Sequence, residues 1–294
     1  MILNGILIVD KPEDWTSHDV VAKLRNTLKI KRIGHGGTLD PMATGVLPIF
    51  VGRATRAAEF SENAEKEYIA GLRLGIVTDT QDITGTIIKE DNAPVSADEL
   101  KKVLAGFLGA QKQIPPMYSA IKKNGKKLYE LARKGIEVER EARDINISAI
   151  ELLEIGEDDF TLRIACSKGT YIRTICHDIG TALGVGGTMS SLRRTRAGSF
   201  EIGMAHTLDE ILTCAGQGGI LDILLSVDSM FSEHPSLSIC STQASKIKNG
   251  VAIAMPEHPD GRYRVYGPDD EFLVLCDVIK GESKVIKSFF GVGL

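Results

Sequence analysis

The stretch that most limits what this chain can fold into is GHGGTLDPMATGVLP, residues 34–48. Its fifteen residues hold four glycines (Gly34, Gly36, Gly37, Gly45), two prolines (Pro41, Pro48), one histidine, His35, and one carboxylate, Asp40. Glycine costs backbone entropy inside a helix or strand and offers nothing to pack, so a shaped loop is expected here, not a helix or a central strand. Pro41 biases Asp40 toward extended backbone and presets the φ of a first helical turn. Two readings of Asp40 follow from these residues alone. It is either an N-cap that accepts from the N–H groups of a following turn, or a carboxylate nucleophile held on a short arm.

A chain of 294 residues can bury a full core and has room for one large domain and a small one. With 43% hydrophobic and 25% charged residues it falls among ordinary globular proteins. The apolar run from Ile2 to Val9 is too short to span a bilayer and lacks the basic start and cleavage site of a signal peptide, so a cytoplasmic protein with no membrane partner is expected. The five cysteines (Cys166, Cys176, Cys214, Cys240, Cys276) are odd in number and form no CxxC pair, which suggests neither a disulfide framework nor a zinc site. The net charge of −4 hides an uneven distribution. Residues 201–240 contain six acidic residues and no Lys or Arg, whereas positive charge gathers at Lys29, Lys31 and Arg32, at Lys122, Lys123, Lys126 and Lys127, and at Arg193, Arg194 and Arg196. Each cluster alone reads as a solvated face; three beside Gly- or Ser-containing loops are compatible with a polyanionic partner.

Along the chain, Ile6 to Val9 reads as a buried strand, and Thr16 with Asp19 has capping-box spacing ahead of a helix to about Leu28. A short helix is expected near Arg56 to Asn63, then a strand over Lys66 to Leu74 that carries Tyr68, a polar turn TDTQDITG (Thr78 to Gly85) and a strand over Thr86 to Lys89. Ser96 and Glu99 form a second capping box, opening a helix with Leu100, Val103, Leu104, Phe107 and Leu108 on its apolar face. Gln113 to Val138 reads as a surface excursion, broken by Pro115 and Pro116, whose four lysines flank Asn124 and Gly125, with a short helix over Leu128 to Lys134. Phe160 to Cys166 alternates as a strand, and the turn at Ser167 to Gly169 opens a helix with Tyr171 and Arg173 at its start. Thr207 with Glu210 marks another helix start. After a candidate linker, Ser232 to Ser236, come a short helix over Thr242 to Lys248 and strands near Val251 to Met255, Arg262 to Tyr266, Phe272 to Ile279 and Lys284 to Phe289.

With these segments in place, GHGGTLDPMATGVLP resembles the catalytic motif of the bacterial tRNA pseudouridine synthase B family, and TDTQDITG, the lysine-rich excursion, CSKGTYIRTICHDIG (Cys166 to Gly180) and SSLRRTRAG (Ser190 to Gly198) resemble further parts of it. The resemblance implies an α+β fold, a mixed, largely antiparallel sheet with flanking helices, over residues 1–235, and a small PUA-like β domain that binds RNA over residues 236–294. It makes Asp40 the nucleophile on the target uridine and Arg173 its ionic partner, with Tyr68 packed on the uracil. Tyr171 and Leu192 line the base pocket, and His35 takes the place vacated beneath a flipped nucleotide. Without the resemblance, the better reading of Tyr68 is a half-buried strand tyrosine and that of His35 a polar loop histidine. Residues 113–138 become a thumb over an RNA hairpin, with Lys122, Lys123, Lys126, Lys127, Arg193 and Arg194 on its backbone. The implied partner is the T-arm hairpin of tRNA, met by a monomer without guide RNA.

Breaking the N1–C1′ bond and forming C5–C1′ involves no net oxidation or reduction and moves no phosphoryl group, so neither metal nor organic cofactor is expected. An RNA-binding module that needs no catalysis, a guide-dependent synthase, and a phosphate enzyme using the glycines as an anion nest are the competing readings.

Overall fold

The computed structural model describes residues 3–91, 93–123, 125–156 and 159–291; Ile2 and Asn124 of the sequence reading lie outside them. The protein has the mixed α+β architecture expected, with one large mixed sheet and a small four-stranded one. The chain divides into two compact units, one made of Met1–Asp40, Leu47–Glu62 and Gly198–Leu294, the other of Pro41–Val46 and Asn63–Ala197.

The first unit opens with β1 (Gly5–Lys11), whose near-continuous apolar run is buried on both faces. Helix α1 (Ser17–Leu28) starts at the reciprocal capping box of Thr16 and Asp19 and buries Val20, Val21 and Leu24. The glycine-rich stretch then departs from the expectation of a loop. β2 (Ile33–His35) and β3 (Thr44–Val51) occupy its two ends, antiparallel, with His35 opposite Ile49. Only residues 36–43 are irregular. The apolar run from Val46 to Val51, fully buried, outweighs the cost of Gly45 and Pro48 in a strand. A turn follows Asp40 and no helix does, so the N-cap reading of Asp40 fails. The helix expected near Arg56 begins as a 3₁₀ turn, Gly52–Ala57, and becomes α2 (Ala58–Asn63).

In the second unit, β4 (Lys66–Leu74) matches its predicted bounds, and β5 (Ile76–Thr78) pairs with β6 (Ile87–Glu90). Helix α3 (Ala97–Ala105) carries the second capping box and buries Leu100 and Leu104; Leu108 lies beyond its C-cap, Gly106, and is exposed. β7 (Gly109–Gln113) precedes a lysine hairpin, β8 (Lys122–Lys123) against β9 (Lys126–Lys127), and the short helix α4 (Leu128–Ala132). β10 (Arg143–Ile155), β11 (Asp159–Cys166), α5 (Ile172–Ala182) and β12 (Gly187–Ala197) complete it. Here the sheet order is β12-β4-β11-β10-β7, antiparallel throughout, while residues 44 and 45 of β3 pair parallel with Arg193 and Arg194. Gly45 makes that last contact geometrically feasible. Its φ is +100°, and a Cβ there would lie 2.2 Å from the Arg194 carbonyl oxygen and 2.9 Å from its nitrogen.

The chain returns to the first unit through β13 (Phe200–Glu201) and β14 (His206–Thr207), the latter parallel to β1, and α6 (Leu208–Gly216) starts at the capping box of Thr207 and Glu210. β15 (Ser236–Ser238), β16 (Gly261–Tyr266), β17 (Phe272–Ile279) and β18 (Glu282–Ser288) form the small sheet in that order, with α7 (Ser241–Lys248) packed on it through Ala244 and Ile247. The strand expected over Val251 to Met255 is reduced to one bridge, Ala254 to Glu282. Phe60, Phe231, Phe272 and Phe289 form a ring cluster beside this sheet, with centroids 5.0–6.1 Å apart. Among the described residues no helix is long and apolar enough to cross a membrane, and no cluster of three metal-binding side chains occurs.

Candidate active site

Asp40 is placed through its chain neighbour. The Ser17 hydroxyl, 1% exposed at the start of α1, accepts the Leu39 N–H at 2.9 Å and donates to the Leu39 carbonyl at 3.2 Å. Both backbone groups of the residue before Asp40 are thereby fixed, and Asp40 itself is half-buried. On the other side of the loop, Gly36 donates its N–H to the Pro48 carbonyl at 2.9 Å. His35, half-buried at the end of β2, meets His18 edge to face with ring centroids 5.3 Å apart. Sequence reasoning passed over Ser17 because a serine inside a helix start reads as part of the cap.

The second unit gathers Tyr68, Tyr171, Arg173 and Leu192 around β4, β12 and the start of α5. Tyr68 lies opposite Arg194 and Leu192 opposite Ala70 in the β4–β12 register, so Tyr68, Ala70, Leu192 and Arg194 share one face of the sheet. Tyr68, Ala70 and Leu192 are buried and make an apolar stretch of that face with one phenol, beside the enclosed guanidinium of Arg194. Tyr171 is the last extended residue before α5. Its backbone is held by Gln113, which donates from Nε2 to the Tyr171 carbonyl and accepts the Tyr171 N–H.

Arg173, in the first turn of α5, is 6% exposed. A guanidinium cannot give up its charge, so burial there demands an anion. Within its own unit that anion includes Asp82, whose Oδ2 lies 3.4 Å from Nη1. Asp82 is in turn fixed: its Oδ1 accepts from the Thr80 hydroxyl at 2.8 Å, the Thr84 hydroxyl at 2.5 Å and the Thr84 N–H at 3.1 Å. Its carbonyl accepts from Thr78 at 2.7 Å. Thr174, next to Arg173, donates to Gln81 Oε1 at 2.7 Å. The segment TDTQDITG, a polar turn by its residues, is therefore a brace for the start of α5. Its alternation of threonine and aspartate was the signal, since short oxygen side chains bond their own loop.

The basic residues separate into two kinds. Lys122, Lys123 and Lys126 are exposed on the β8–β9 hairpin, and Lys127 lies with its ammonium 5.3 Å from the Tyr129 ring centre. Arg193 is half-buried and donates to the Thr44 hydroxyl at 3.2 Å. Arg194 differs: it is 1% exposed and its Nε donates to the Val46 carbonyl at 2.6 Å. A side chain so enclosed has no surface to offer a phosphate, and its expected contact with the RNA backbone is withdrawn. It ties β12 to β3 instead.

Known proteins resemble this chain over nearly its whole length. Residues 25–172 match the TruB family pseudouridylate synthase N-terminal domain, and residues 173–232 match the tRNA pseudouridylate synthase B C-terminal domain. The tRNA pseudouridine synthase B of Francisella tularensis subsp. novicida is 43% identical over 290 residues, 98% of this chain and 95% of the relative. That of Clostridium tetani is 42% identical over 291 residues, 97% and 99% of the two chains. Among solved structures, a chain in the crystal structure of a Cbf5-Nop10-Gar1 complex superposes with a TM-score of 0.76 at 28% identity, covering 97% of this chain and 85% of that one. The chain belongs to the TruB family of pseudouridylate synthases, isomerases that make pseudouridine in tRNA.

Proposed function

We propose that this isomerase acts as a monomer, without guide RNA, on the T-loop uridine at position 55, flipping the base out and attacking with the Asp40 carboxylate. The observation that carries this reading is the fixation of Leu39 by Ser17, which aims a half-buried carboxylate where no helix follows for it to cap. Identities of 42–43% over nearly the whole length of the tRNA enzymes support a stand-alone synthase over the multi-protein assembly that holds the structural neighbour.

In this reading the glycosidic N1–C1′ bond breaks, the uracil turns, C5 bonds to C1′, the C5 proton leaves and N1 is protonated, and the bond that Asp40 forms to the nucleoside is broken again so that the carboxylate is regenerated; atoms and electrons then balance without a redox partner. Extraction of the uridine from its stack costs roughly a few kcal/mol. His35 takes the vacated place. Tyr68, Tyr171 and Leu192 hold the detached base and keep water from it, and Arg173 is the ionic partner of Asp40. Lys122, Lys123, Lys126 and Lys127, on a thumb of residues 113–138, and Arg193 contact phosphates. Residues 1–235 form the catalytic domain and residues 236–294 a PUA-like RNA-binding domain, a division supported by the separate buried cluster of the small sheet. A cytoplasmic site of action fits a tRNA substrate.

The test is pseudouridine formation in an unmodified tRNA transcript by the wild type and by Asp40→Asn, with RNA binding followed in parallel. Conversion at position 55 by the wild type alone, with binding retained in both, is expected. Conversion at another position, or by Asp40→Asn at the wild-type rate, would overturn the assignment.

A further inference from the structure

Gln113 is 4% exposed at the end of β7 and turns both the oxygen and the nitrogen of its carboxamide to one residue. Its Nε2 donates to the Tyr171 carbonyl at 3.0 Å, and the Tyr171 N–H donates to its Oε1 at 2.8 Å. This is the pair of bonds that a hydrogen-bonded strand neighbour would make, supplied here by a side chain. Tyr171 is in a position to need it: with φ −98° and ψ 108° it is extended, and its own side chain does not cap α5. Gln113 is itself immobilised, because its backbone pairs with Arg143 of β10.

We propose that Gln113 is a positioning residue for the isomerisation, holding the Tyr171 backbone and with it the first turn of α5, two residues from Arg173. The proposal rests on the base-pocket reading of Tyr171. The carboxamide is the one group at this position that both accepts and donates at neutral pH with the length of a glutamine side chain. A protonated glutamic acid has the same shape and the same donor and acceptor, whereas an ionised one keeps the acceptor and turns a negative charge toward the Tyr171 carbonyl.

That difference makes the role testable in the full-length protein with an unmodified tRNA transcript. Gln113→Met keeps the length and removes both bonds; its single-turnover rate at saturating RNA is expected to fall about 10- to 100-fold with RNA affinity unchanged. For Gln113→Glu, the rate relative to wild type is expected to rise as pH is lowered from 8 to 5.5, as the carboxyl gains its proton. Arg143, the register partner of Gln113, and the ion pair of Lys112 with Asp144 next along the two strands are the same in wild type and variant, so a pH-dependent change in the ratio of their rates belongs to the introduced acid. Far-ultraviolet circular dichroism at each pH gives the folded fraction. A Gln113→Met rate within about twofold of wild type, or losses that follow the folded fraction or the bound RNA, would overturn the positioning role. Absence of conversion by the wild type would instead refute the proposed target.

Discussion

Replacement of Gly45 by alanine isolates the contact between β3 and β12. Two costs combine. A φ of +100° is open to glycine and strained for alanine, at about 1–2 kcal/mol by comparison with the left-handed region. The new Cβ would also lie 2.2 Å from the Arg194 carbonyl oxygen and 2.9 Å from its nitrogen, both backbone atoms that no rotamer change can move aside. Relief requires the strands to part, and overpacking of this kind costs about 1–3 kcal/mol. The sum, about 2–5 kcal/mol, corresponds to a melting temperature lowered by roughly 4–20 °C. Parting the strands also shifts the segment that carries Leu192, so isomerisation should suffer in the protein that remains folded. Thermal melting followed by circular dichroism measures the effect, with Gly203→Ala as control, because a Cβ there meets nothing within 4 Å. The control is expected to stay within about 0.5 kcal/mol of wild type. If Gly45→Ala melts with its control, the close approach is not rigid and the argument is wrong.

Two further outcomes follow from ionisation. The Ser148 hydroxyl and the Arg196 guanidinium, each 2.7 Å away, hold the Glu65 carboxyl below its usual 4.5. A depressed folded-state value gives stability that is present above pH 4.5 and lost as pH falls through the folded value, so wild-type stability in urea should decline more steeply below pH 4.5 than that of Glu65→Gln; equal slopes would refute the assignment. Burial pushes the Cys166 thiol up to about 11 and the Cys176 thiol to about 12, whereas Cys240 is exposed. A thiol reagent at pH 8 should label Cys240 first and reach Cys166 and Cys176 only in denaturant, as peptide mass spectrometry will show.

Much of this architecture was legible because local chemistry and tertiary structure agree. The three Ser/Thr capping boxes at Thr16, Ser96 and Thr207 form as their spacing predicts, and β4 and β17 have their predicted limits. What escaped were strands whose burial depends on partners far away in sequence. β12 is polar and charged along much of its length, and its arginines are tolerated only because Arg194 finds the Val46 carbonyl and Arg196 finds Glu65. β10 hides its alternation behind two register shifts. At the candidate site, the motif residues were visible in the sequence while their supports were not. Ser17, Asp82 and Gln113 act through backbone or ionic contacts to residues 22, 91 and 58 positions away, and no local pattern reports such pairings.

The excursion that bears the lysine hairpin leaves β7 after Gln113 and rejoins the sheet at Arg143, its register partner. It is tied off at the root. Lengthening or shortening residues 114–142 therefore alters a loop-closure entropy that changes by only about 0.6 kcal/mol for each doubling of length, and leaves the sheet register where it was. Under the proposed thumb role, grip and chemistry are thus separable in heredity: insertions would retune how an RNA arm is held while the bonds that seat Tyr171 stay untouched.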